Sequence, residues 1–133
     1  RGEPLVGPDI VEIVERLARI DGVDDLSLGT NGVLLGALAR PPARAGLRRV
    51  DVSLDSLDAA RFRAVTRFGL LDSALAGLDA ELAAGLSPVK VNVVVTRGLN
   101  EDEIGAFAAL TPEAPLHVRS IEPMPIGAAG YFF

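Results

Sequence analysis

An α/β fold, with parallel strands in sequence alternating with outer helices, is predicted by three observations. Four short segments of β-branched or alternating character are separated by stretches of helical periodicity. Glycines punctuate the ends of those helical stretches. Two of the exits, Gly46-Leu47-Arg48-Arg49-Val50 and Gly85-Leu86-Ser87-Pro88-Val89, are similar helix-to-strand joints, as a repeated βα unit requires. Such an order implies right-handed crossovers and ligand loops at the carboxyl ends of the strands.

The elements follow in turn. Arg1-Gly2-Glu3-Pro4 reads as a strand-to-loop corner, because proline fixes its own φ and disfavours the helical region for the residue before it. No strand precedes that corner, so a truncated domain is expected. Asp9 to Ile20 repeats Ile10, Ile13, Val14, Leu17 and Ile20 at helical steps and is predicted to stop at Gly22. Asp25 to Thr30 is a short strand before the Asn31-Gly32 turn, and a helix is expected over Val33 to Ala45, broken or kinked by Pro41-Pro42. Arg49 to Asp55 alternates as a second strand. Helical patterns then cover Ser56 to Val65 and Leu71 to Ala84, divided at Phe68-Gly69. Val89 to Val95 is the clearest strand, Glu101 to Leu110 the next helix and Leu116 to Ile121 the fourth strand.

Four strands cannot close a barrel, and a parallel sheet needs both faces and its edges covered. The chain is therefore expected to be an internal piece of something larger.

Composition limits the function. With 133 residues, 49% hydrophobic and 23% charged, the chain suits one soluble domain. No apolar run approaches the roughly 20 residues of a membrane helix. A cytoplasmic location without membrane association is the expectation. A formal charge of −5 argues against a broad basic face for nucleic acid. There is no cysteine, which excludes disulfides, thiolate zinc sites and cysteine-ligated clusters within this chain, and one histidine builds no metal site alone.

Polar residues gather where this topology puts its ligand rim: Gly2-Glu3, Thr30-Asn31-Gly32, Ser53 with Asp55, Lys90 with Asn92, and Glu122 with Met124. Each has a plainer reading: Asn31-Gly32 as a turn, Ser53-Leu54-Asp55-Ser56 as a helix cap, Met124 as a core residue. Lys90 stands out, because a charge in a valine-rich strand must be paired, face a wet cavity or contact an anion, unless it guards a sheet edge. Asn92 shares its face and favours a polar lumen. His117 reads as a structural histidine, and Arg119 either meets an anion or pairs with Glu122.

Taken together, Gly2-Glu3-Pro4-Leu5, Leu28-Gly29-Thr30-Asn31-Gly32, Val52-Ser53-Leu54-Asp55-Ser56, Val89-Lys90-Val91-Asn92-Val93-Val94, Gly98-Leu99-Asn100-Glu101-Asp102-Glu103-Ile104 and Arg119-Ser120-Ile121-Glu122-Pro123-Met124-Pro125-Ile126-Gly127 resemble, in order, the radical S-adenosylmethionine (SAM) enzymes. Within them the match is to the GTP 3',8-cyclase family of molybdenum-cofactor biosynthesis. The resemblance implies a partial (βα)6 TIM-like barrel, of which residues 1–133 would be the central part. It implies a [4Fe-4S] cluster that reductively cleaves SAM, and a deoxyadenosyl radical that abstracts a ribose hydrogen of GTP before the sugar carbon attacks C8. It further implies SAM contacts at Gly2, Ser53 and Met124, and GTP contacts at Lys90 and Thr30. A homodimer is compatible with it, and the electron donor is left open.

Arg1 stands for a family glycine, Gly29 for a threonine, and Thr66-Arg67-Phe68-Gly69 departs from the usual Thr-Gly-Arg. The cluster-binding CxxxCxxC loop and the C-terminal cysteines of the family are absent from this chain, which alone is not expected to turn over. The alternatives are a degenerate, non-catalytic nucleotide-binding relative, another radical SAM enzyme and an unrelated α/β-barrel fragment.

Overall fold

In the computed structural model, which describes residues 3–38, 43–67, 69–112 and 114–124, four parallel strands form a sheet in chain order. They are β1 (Ser27–Thr30), β2 (Arg49–Ser53), β3 (Val89–Val94) and β4 (Leu116–Ile121). The helices are α1 (Ile10–Ala18), α2 (Leu35–Leu38), α3 (Ala59–Thr66), α4 (Leu71–Ala83) and α5 (Ile104–Ala108), with short 3-10 turns at Pro4–Val6 and Glu101–Glu103. The predicted α/β order is observed, and it is that of part of a parallel βα barrel.

Side chains alternate across a strand, and here the alternation divides the sheet into two unlike faces. Val50, Val52, Val89, Val91 and Val93 are buried in one core with Phe62, Leu71, Ala74, Leu78 and Phe107 from the helices. Burying each such valine contributes about 1.5 to 3 kcal/mol, so this face supplies most of the strands' cohesion. The opposite face carries Arg49, Asp51 and Ser53 of β2, Lys90 and Asn92 of β3, and His117 and Arg119 of β4, none of them fully buried. Register sets them in rows: Asp51 lies opposite Lys90 and Lys90 opposite His117, while Ser53 lies opposite Asn92 and Asn92 opposite Arg119.

Two glycines bring α4 down onto the turn after β1. Gly32 has φ of 81°, in the left-handed region, and an added Cβ would sit 3.0 Å from Val52. A Cβ at Gly77 would lie only 2.7 Å from the Gly32 carbonyl oxygen and 2.8 Å from Leu35. Larger residues at either position would push the helix away from the loop that ends β1.

Some elements are shorter than predicted, for identifiable reasons. The second helix is not among these: it is described over Leu35–Leu38 and again as helix at residues 43–44, and residues 39–42, with Pro41-Pro42, lie outside the described residues. β2 ends at Ser53 because Asp55 and Ser56 bond to groups elsewhere in the chain and leave the ladder. The helix expected from Glu101 starts as a 3-10 turn, where Glu103 points back to Ser56 and Leu57. α3 opens on Asp58, whose Oδ1 accepts from the Arg61 N–H at 2.8 Å, and closes on Arg67 with φ of 68°. In α4, Glu81 is buried and its Oε2 has no hydrogen-bond partner among the described residues.

Candidate functional site

The carboxyl ends of β1 and β2 frame a cleft of about 340 Å³ lined by Glu3, Gly29, Thr30, Asn31, Ser53, Asp55, Val65 and Thr66. Its floor is held by Glu3. Oε1 of Glu3 accepts from the Thr30 hydroxyl at 2.6 Å and from the Leu5 N–H at 3.2 Å, and Oε2 accepts from the Asn31 N–H at 2.8 Å. Through the bonds to Thr30 and Asn31 the corner at Glu3-Pro4 is fastened to the end of β1. The Thr30 oxygen in turn accepts from the Gly32 N–H at 3.2 Å, and Asn31 Oδ1 accepts from the Val33 N–H at 3.0 Å.

The wall beyond Ser53 is tied to β3 by long-range bonds. Asp55 Oδ1 accepts from the Val94 N–H at 2.9 Å. Asn100 is buried; its Nδ2 donates to the carbonyls of Asp55 at 2.6 Å and Val94 at 3.0 Å, while its Oδ1 accepts from the Thr96 N–H at 2.7 Å. Glu103, also buried, accepts from Ser56 Oγ at 2.8 Å, the Leu57 N–H at 2.5 Å and Arg61 Nη1 at 2.9 Å. The Arg61 guanidinium is held further into its charged range, first by its bond to Asp102. Asp102 is lowered by the same contact.

The open face of the sheet begins beside Ser53. Arg119 donates from Nε to Asn92 Oδ1 at 2.8 Å and from Nη2 to Asp51 Oδ1 at 2.5 Å, so one arginine joins three strands. Of the two readings of Arg119, pairing with Glu122 is not the one observed; Asp51 and Asn92 take it instead. Lys90 lies on the same face in the middle of the sheet, which removes the edge-strand reading, and it forms no ion pair among the described residues. His117, expected to be a satisfied structural histidine, is exposed with no hydrogen bond among the described residues.

Thr30 and Ser53 are thus brought together in the cleft, Ser53 exposed and Thr30 buried with its hydroxyl already bonded to Glu3. Lys90 lies on the adjoining open face rather than among the cleft's lining residues. Met124 follows β4 and is 66% exposed, so it is no core methionine. Gly2 lies outside the described residues. Sequence reading missed Asp51, Asn100, Glu103 and Val65. Asp51 carried a usable signal, since it shares the parity of Ser53 on an alternating strand.

Chemically, the cleft suits a ligand with an ammonium or hydroxyl groups near Glu3, Ser53 and Asp55, and the open face suits an anion near Lys90 and Arg119. The chain has no thiolate for an iron-sulfur cluster, and among the described residues no group of three or more His, Asp or Glu is placed to hold a metal ion. No helix among them is long and apolar enough to cross a membrane.

Comparison with known proteins agrees with this geometry. The model of the Radical SAM superfamily matches residues 1–111. A GTP 3',8-cyclase of Moorella thermoacetica is 56% identical over 128 residues, 96% of this chain and 40% of that protein. Those of Thermodesulfovibrio yellowstonii, 53% identical over 126 residues, and Listeria monocytogenes, 47% identical over 129, are covered to 39% of their lengths by 95% and 97% of this chain respectively. The chain therefore spans about 40% of the length of the curated relatives it matches.

Proposed function

The chain belongs to the Radical SAM superfamily, and on that premise we propose that it supplies the central part of the core barrel of a GTP 3',8-cyclase that acts in the cytoplasm in molybdenum-cofactor biosynthesis. The observation that carries the reading is the meeting of an acidic cleft with a cationic open face on four parallel strands. The relatives' printed name supports GTP as the substrate.

In this reading the cleft takes SAM. Glu3 and Asp55 offer carboxylate oxygens toward an ammonium, and the exposed Ser53 hydroxyl adds a neutral partner. Gly2 would bring its backbone to the same group, and Met124 would flank the adenine. SAM with a [4Fe-4S] cluster supplies the radical chemistry when bound; no cluster ligand comes from residues 1–133, which contain no cysteine.

The open face takes GTP. Lys90 meets an anionic oxygen of the nucleotide as a point charge. Thr30, the other expected nucleotide contact, belongs to the cleft rather than the open face, so it would meet GTP only at their boundary, through the oxygen lone pair left after Glu3 and Gly32 are bonded. The protein's part is to orient the ribose against SAM across the boundary between cleft and face and to limit water there.

Transplanting this chain into the Moorella relative, in place of the segment it matches, tests the reading. The chimera should convert GTP to a 3',8-cyclised product. A chimera that folds and forms none would overturn the proposal.

A further inference from the structure

Arg119 has five N–H donors in a rigid fork, and the sheet uses two of them. Nε is taken by Asn92 and one Nη2 hydrogen by Asp51, while among the described residues no hydrogen bond takes the two hydrogens of Nη1. Asn92 is the register partner of Arg119, but Asp51 is not: it lies two strands away, in the row of Lys90 and His117. The bond therefore runs diagonally across β3.

Asp51 thus has two cations within its surroundings, Lys90 opposite it and Arg119 across β3, and it bonds Arg119. As a stabilising ion pair this contact is worth little, because the Arg119 side chain is 46% exposed and that of Asp51 23%. As a geometric device it does more. Two acceptors on two different strands fix the plane of the guanidinium, which a single acceptor would leave free to turn.

We propose that Asp51 is a positioning residue which, with Asn92, sets Arg119 so that its Nη1 edge and the neighbouring Lys90 together receive an anionic oxygen of the nucleotide. This assignment rests on the nucleotide-binding reading above. Asp51 touches no ligand in it. Its carboxylate orients one cation and leaves the other unpaired.

Titration calorimetry of the full chain with GTP tests the assignment, using Asp51→Ala, Asp51→Asn, Arg119→Ala and the Asp51→Ala/Arg119→Ala double variant. Asp51→Ala should weaken GTP binding about tenfold, the loss of one charge-assisted bond. Asp51→Asn keeps an oxygen acceptor and should recover affinity to within about threefold of the unaltered chain. In the Arg119→Ala background, Asp51→Ala should change nothing further, a coupling that a merely structural role would not produce. GTP binding unaltered by Asp51→Ala, or an equal loss with and without Arg119, overturns the assignment while leaving the nucleotide reading intact. Failure of the unaltered chain to bind GTP at all overturns both.

Discussion

The two faces of the sheet come from the same strands and carry opposite chemistry. On β3, Val89, Val91 and Val93 are buried against the helices, while Lys90 and Asn92, one residue removed, stand half-exposed on the open side. The helix side is cohesive and redundant, with valines packed on Phe62, Ala74 and Phe107. On the open side a few charges are held by each other, and little apolar area is buried. Changes on the first face should therefore register as lost stability, and changes on the second as lost ligand affinity.

The rim where the two faces meet is the place to break this division most severely. Asn100→Ala should cost about 4 kcal/mol in urea unfolding, because it strands the Thr96 N–H and two carbonyls in a buried site. A loss under about 1 kcal/mol would mean that the Asp55 loop is held some other way.

Glu81 sharpens the comparison from within the helix layer. Burial raises its carboxyl pKa to about 7. The unfolded chain ionises near the ordinary value of 4.5 while the folded one stays protonated, so stability is full below pH 4.5 and falls as pH rises toward 7. The loss over that window should be roughly 3 kcal/mol, and Glu81→Gln should flatten it. Glu101 and Asp102 are lowered instead, and their contribution appears below that window and with the opposite sign. An equal slope in Glu81→Gln would assign the effect to other groups.

The smallest effect lies at the end of α3. Arg67 adopts φ of 68°, a conformation that glycine tolerates without cost, so Arg67→Gly should gain about 0.5 to 1 kcal/mol. A lower unfolding midpoint in that variant would show that the arginine side chain makes up for its backbone.

How far these features could be read in advance depends on sequence distance. β3 and β4 were legible because alternation needs only neighbours, and Leu116–Ile121 was placed to the residue. The ties among Asp55, Asn100, Ser56 and Glu103 span 45 and 47 residues, and nothing local in the sequence announces them. Arg119 shows the same limit. Its nearby acidic neighbour, Glu122, was one of two readings of its partner, but in a parallel sheet the crossovers bring Asp51, 68 residues away, to the same face. The site was legible as a set of strand ends, with Thr30 and Ser53 in one cleft, but not as a network, because registers and loop bonds decide which polar atoms remain for a ligand.

The most direct measurement compares Lys90→Ala with Val91→Ala, adjacent residues of one strand, by GTP titration and urea unfolding of the full chain. Val91→Ala should lose about 2 to 3 kcal/mol of stability and keep its GTP affinity while folded. Lys90→Ala should stay within about 0.5 kcal/mol in stability, lose about tenfold in GTP affinity and bind SAM unchanged. GTP affinity untouched by Lys90→Ala would contradict the assignment of the open face to the nucleotide.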